Sequence, residues 1–141
     1  MDLNKLNAEG YPDPTCYAAL TNIGKEEKLQ FRPLVYICSP YRGDIQENTL
    51  RAQWYARFAV EKGYLPIAPH IYFTQFMDDD KPREREIAIF MNKVLLGKCK
   101  ELWVFGDVIS EGMQGEIRCA EHRAMVIRYF TEDLEEVIKD A

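Results

Sequence analysis

Leu34-Val-Tyr-Ile-Cys-Ser-Pro-Tyr-Arg-Gly43 begins as an unbroken apolar run of strand length and ends as a polar turn. A run without alternation suits a strand buried on both faces of a parallel sheet. Glu101-Leu-Trp-Val-Phe105 repeats the pattern, with Gly106-Asp107 as its exit. It leads into Ser110-Glu-Gly-Met-Gln-Gly-Glu-Ile-Arg-Cys-Ala120, a glycine-broken turn running into a helix with Glu116 in its first turns. Two further strands are expected, Leu65–Ala68, where Pro66 points to a sheet edge, and Met125–Phe130. Helices are expected between them. Asp44 caps the first, from about Ile45 to Lys62, and Gly63 ends it. Its apolar face is read as Leu50, Trp54, Phe58 and Val60 with Ala52, Ala56 and Ala59. The second spans Arg83–Lys98, with Ile87, Ile89, Phe90, Val94 and Leu95 inward, and the third Gly112–Ala124. A closing helix is expected over Glu132–Lys139. Pro69–Lys81, aromatic and then acidic, reads as a lid or partner contact. The alternation calls for an α/β domain: a parallel sheet of about four to five strands, flanked by helices on both faces and joined by right-handed crossovers.

The 141 residues suit one such domain over 32–141, preceded by an N-terminal helical appendage and linker over 1–31. Asp13-Pro14 starts the appendage helix. The formal net charge of −5 argues against a chain whose main work is neutralising nucleic-acid phosphates. No apolar run reaches membrane-spanning length, and the first residues lack the apolar stretch of a signal peptide. Cys16, Cys38, Cys99 and Cys119 are scattered without a Cys-x-x-Cys pair, so reduced thiols in a cytoplasmic protein are expected. With His70 and His122 as the only histidines, a histidine-rich metal site is excluded and no metal is expected.

In a parallel sheet the loops that follow the strands gather at their carboxyl ends, where ligand sites form. Ser39, Pro40, Tyr41, Arg42 and Gly43 make the first of these loops, offering hydroxyls, backbone N–H groups and a guanidinium to an anion. The same residues read equally as an ordinary polar loop, and a G-x-G-x-x-G fingerprint is absent. His70 falls just past the second strand, at the same edge. Glu116 follows the third strand. A carboxylate at a helix start is held in its charged form by the dipole and can attack an electrophilic sugar carbon. By local sequence alone it is equally a good helix-start acid. His122 reads as packing or solvated.

Tyr36-Ile-Cys-Ser-Pro-Tyr-Arg-Gly43, the downstream Asn48 and Arg51, Pro69-His70, and Ser110-x-Gly-Met-x-x-Glu116-Ile-x-x-Ala120 together resemble the nucleoside 2-deoxyribosyltransferase-like superfamily. Its small bacterial and phage members, known only as domains of unknown function, are the nearest in pattern. The resemblance covers about residues 33–130. It implies a Rossmann-like domain that cleaves or transfers the N-glycosidic bond of 2′-deoxynucleosides or their 5′-monophosphates, without a cofactor. It further implies Glu116 as nucleophile, Tyr36 as its orienting partner, and a homo-oligomer in which neighbouring subunits help complete the pocket. Ser110 stands where the monophosphate-hydrolysing branch carries serine, so Ser39, Arg42 and Ser110 would grip the 5′ end. Asn48, Gly112 and Met113 would also line the substrate site. The family's proton-donating aspartate maps to Asn92, which cannot act as an acid, leaving Asp107 or His70 to assist at the base. The competing expectation is a nucleotide-binding module that has lost catalysis; a purely structural role ranks third.

Overall fold

The computed structural model describes residues 31–139, so the appendage expected over 1–31 lies, apart from Phe31, outside the described residues. The strands are β1 (Leu34–Cys38), β2 (Leu65–Ile67), β3 (Glu101–Phe105), β4 (Val126–Phe130) and β5 (Glu136–Val137); the helices are α1 (Ile45–Glu61), α2 (Pro69–Phe73), α3 (Pro82–Leu96) and α4 (Glu111–His122). One sheet holds the strands in the order β2-β1-β3-β4-β5. The first four run parallel, with Val35 opposite Glu101 and Leu102 opposite Ile127. Only β5 runs antiparallel, to β4. This is the Rossmann-like α/β architecture that the alternating pattern calls for.

Side chains alternate across each strand, so β1 and β3 feed two cores. Val35, Ile37, Trp103 and Phe105 meet Tyr55, Phe58 and Ala59 of α1 on one face. Tyr36, Cys38, Leu102 and Val104 meet Leu96 of α3 and Met113 and Ala120 of α4 on the other. The first core is rich in aromatic rings. Tyr55 stacks on Phe105 with ring centroids 4.2 Å apart, and Phe105 stacks on Phe130 at 5.1 Å. Asp44 caps α1 by accepting from the Glu47 N–H at 3.1 Å.

Three expectations need correcting. The inward face of α1 is Ala52, Tyr55, Phe58 and Ala59, while Leu50 and Trp54 are exposed. A wide apolar stripe does not say which edge of it meets the sheet. Of α3, Leu96 alone is fully buried, and Ile87, Ile89, Phe90 and Val94 stay exposed. The inner side of this helix faces a cavity rather than a core. Within the stretch 69–81 read as a lid or partner contact, Pro69 starts the one-and-a-half-turn α2. The closing helix does not form. Thr131 Oγ1 accepts from the N–H groups of Asp133 and Glu135, Leu134 takes a left-handed φ of 69°, and the chain folds back as β5. Arg128 then grips Glu136 across the two strands with bonds of 2.8 and 2.9 Å. Eight residues are too few to hold a helix against a turn with its own side-chain bonds. Among the described residues no helix is long and apolar enough to cross a membrane.

Candidate active site

A cavity of about 370 Å³ opens at the carboxyl end of the sheet, between α4 on one side and α2 and α3 on the other. From the first loop Ser39, Tyr41 and Arg42 line it; from α2, His70 and Phe73; from the start of α4, Ser110, Gly112, Met113 and Glu116. Asn92 lines it from α3. These residues are far apart in sequence and are brought together because every parallel strand delivers its following loop to one edge.

Glu116 is the sixth residue of α4, a full turn beyond the N-terminal amides. The dipole acts mainly within the first turn, so the expected stabilisation of its charge does not reach it. Its carboxyl group is desolvated instead, which pushes its pKa up from 4.5 to about 7, against smaller lowering by hydrogen bonding from Cys38 and Tyr36. Both donors come from the α4-facing side of β1. Burial, and then the charge of Glu116, hold the Tyr36 hydroxyl well above its usual range. It therefore stays protonated beside the carboxylate.

The Ser39 hydroxyl lies 3.3 Å from His70 Nε2. Desolvation lowers the His70 pKa to about 4, so at neutral pH the ring offers a hydrogen bond rather than a charge. Tyr41 packs at a tilt beside it, ring centroids 5.9 Å apart. Ser110 caps α4, its Oγ accepting from the Met113 N–H at 3.3 Å. The O–H proton of that serine remains available to a ligand. At the mouth, Arg42 is paired with Asp79 at 3.0 Å.

Five of the residues marked by the sequence do not line the cavity. Tyr36 lies behind Glu116 in the core. Asn48 donates to the carbonyls of Tyr41 and Arg42 at 3.0 Å each, bracing the first loop. Gly43 provides the left-handed turn, φ 99°, that ends the loop, and Pro40 sits within it. Asp107 is exposed to solvent beyond the third strand. Asn92 does line the cavity, and its Oδ1 is closed off from solvent without a hydrogen-bond partner.

Strand-end reasoning misses the wall supplied by α3 and the acidic segment before it. Arg85, Ala88, Ile89, Asn92 and Leu96 repeat at helical spacing along the cavity, with Asp78 and Asp79 at its mouth and Lys93 and Arg118 on its rim. That spacing was present in the sequence, but these side chains mix charge with apolar groups and so do not read as one face. No group of three or more His, Cys, Asp or Glu side chains among the described residues is arranged to hold a metal ion.

Comparison with known proteins gives one family match. Residues 33–130 match a family described as a domain of unknown function, DUF7768. No curated protein matches the chain. Among solved structures, the fold is similar to that of a 2-deoxyribosyltransferase from the psychrotolerant bacterium Bacillus psychrosaccharolyticus, with a TM-score of 0.55 and 14% identity over 75% of this chain and 77% of that one.

Proposed function

Starting from a chain that belongs to the DUF7768 family of domains of unknown function, we propose that it cleaves or transfers the N-glycosidic bond of a 2′-deoxynucleoside or its 5′-monophosphate. The observation that carries this reading is Glu116, a desolvated carboxyl on the cavity wall with Tyr36 behind it. The similarity of fold to a 2-deoxyribosyltransferase points the same way.

In this mechanism the Glu116 carboxylate attacks C1′ of the sugar. The C1′–N bond breaks, its electron pair leaves with the base, and the sugar is held as a glycosyl ester. Water or an acceptor base then attacks C1′ and frees the carboxylate. Tyr36 keeps its proton and orients the attacking oxygen. Ser39 and Ser110 donate to the 5′ end, joined by Arg42 once it is released from Asp79. A cavity of about 370 Å³ accommodates a nucleotide-sized ligand. Protonation of the departing base is the weak step. Asn92 has no acidic proton and His70 is neutral, so turnover is expected to be slow. The same two observations favour the second reading, a nucleotide-binding module that retains the pocket without turnover. We place the protein as a homo-oligomer, on the strength of the exposed apolar side chains Ile87, Phe90 and Val94 of α3.

The deciding experiment incubates the protein with deoxynucleosides and their monophosphates and follows free base by chromatography, for wild type and Asn92→Asp. Base release is expected from both, faster in the variant, because aspartic acid restores a proton donor. Binding of nucleotide by both proteins with no base released by either would leave the binding module as the correct description.

Arg42 gives a separate expectation. Asp79 stands where an anionic ligand would compete for the guanidinium, and their pair is partly solvent-exposed, the guanidinium more than the carboxylate. Such pairs are worth about 0.2–1 kcal/mol. Asp79→Asn should therefore tighten binding of a deoxynucleoside monophosphate by up to about fivefold and leave the bare nucleoside unaffected. Calorimetry on the two ligands checks this, and equal effects on both would remove Arg42 from the phosphate site.

A further inference from the structure

Tyr36 is not the only side chain of β1 that turns towards Glu116. Residues two apart on a strand share a face, so Cys38 looks the same way from the strand's last position. It is fully buried, and it packs in one cluster with Tyr36 and Met113. Its Sγ lies 3.9 Å from the Met113 carbonyl oxygen, in the turn of α4 just before Glu116. We propose that Cys38 is a positioning residue for Glu116, its single thiol proton shared between the Glu116 carboxylate and the Met113 carbonyl. The role rests on the reading of Glu116 as nucleophile.

The chemistry of the group suits the task. Burial, and then the neighbouring carboxylate, hold the thiol well above its usual pKa. It is therefore an S–H donor at neutral pH and not a rival thiolate nucleophile. An S–H is a weak donor, so it fixes the direction of a carboxylate oxygen while leaving that oxygen basic. Once the carboxylate has become a neutral glycosyl ester, the proton turns to the Met113 carbonyl. When the ester is broken and the charge returns, it turns back. No bond to sulfur forms or breaks in either step.

The other titratable groups that share the cavity with Glu116 are Tyr41 and Arg42 of the first loop, His70 of α2, Asp78 and Asp79 before α3, Glu84, Arg85 and Lys93 of α3, and Glu111 and Arg118 of its own helix, with Tyr36 of β1 behind it. Cys99 lies near Tyr36. Among the described residues none of these cations forms an ion pair with Glu116. The two groups that favour its charged form are Cys38 and Tyr36.

The test needs no turnover, so it separates this role from the catalytic reading. Protein labelled with 13C at the glutamate carboxyl is titrated from about pH 5 to about pH 9, the Glu116 resonance being assigned by its absence in Glu116→Gln. In Cys38→Ala the midpoint should rise by about 0.5–1 unit, the worth of one neutral hydrogen bond. In Cys38→Ser, a stronger donor, it should lie at or below the wild-type value. Infrared spectroscopy of the wild type supplies a second readout that depends on no variant's folding. The Cys38 S–H stretch, assigned by its loss in Cys38→Ser, should shift across the same pH range and stand still in Glu116→Gln. An unchanged midpoint in a folded Cys38→Ala protein, or an S–H band indifferent to pH, overturns the assignment. Failure to release base in any assay bears on the nucleophile alone.

Discussion

Glu116→Gln should be more stable than the wild type at pH 8 by about 3 kcal/mol, and should release no base. The stability gain follows from the carboxyl's environment. Its pKa is about 7 in the fold and near 4.5 in the unfolded chain. The folded protein therefore holds a proton that the unfolded chain gives up between pH 4.5 and 7. Stability falls as the pH rises through that window and stays low above it, and a shift of this size is worth about 3 kcal/mol. Glutamine keeps the shape and still accepts from Tyr36, but never pays to ionise. The difference between the two proteins should vanish below about pH 4.5. Urea denaturation at several pH values checks this, and a pH-independent difference would mean that Glu116 is not desolvated in solution. The loss of base release is the other half of the same substitution, because removing a covalent nucleophile costs several orders of magnitude in rate. In the wild type, base release should rise with pH through about 7, as the carboxylate forms.

Trp103→Ala should bring the domain close to unfolding. The ring is fully buried in the middle of β3. It packs against Tyr64 with ring centroids 4.7 Å apart, Phe130 at 5.0 Å and Phe58 at 5.9 Å. Its Nε1–H donates to Glu101 at 3.0 Å, and the Arg128 guanidinium sits 4.8 Å above it. Truncation leaves a hole bounded by rigid rings that cannot collapse into it. The expected cost is about 3–5 kcal/mol, a large share of the 5–15 kcal/mol typical of a folded domain. Trp54→Ala is the control. That ring is 49% exposed on the outer side of α1, and its loss should cost under about 1 kcal/mol. A small change at Trp103, read from the urea midpoint, would mean that the aromatic core repacks.

Leu34–Cys38 and Glu101–Phe105 are legible in the sequence because central parallel strands are covered on both faces and so become apolar at nearly every position, Glu101 at the start of the second being the exception. Ser39, His70, Ser110 and Glu116 are legible as candidates for a related reason, since each follows a strand that ends at one edge. Asp107 follows the same rule and still lies outside the cavity. Gly106 takes a left-handed φ of 96° there, and the next side chain emerges into solvent. Helix faces are harder. In α3 the apolar residues outnumber the places the sheet offers them, and periodicity cannot tell a cavity wall from a core or an outer surface. The segment after Phe130 is settled by Thr131 Oγ1 and by the Arg128–Glu136 pair, which is formed between residues on different strands and is invisible until the chain turns. The charge state of Glu116 depends on its desolvation and on Cys38 and Tyr36 of β1, so its place in the helix alone points the wrong way.

Pro66 bears on how copies of this domain can meet. The Leu65 N–H donates to the Pro33 carbonyl, towards β1. Backbone donors alternate along a strand, so the outward donor of this three-residue edge would belong to residue 66, and proline has none. At the opposite edge β5 offers only Glu136 and Val137. Both rims of the sheet are thereby protected against strand addition, the commonest route to open-ended aggregation. Among the described residues, the apolar side chains left outside α1 and α3, such as Leu50, Trp54 and Phe90, are surfaces that copies could bury against one another without pairing strands.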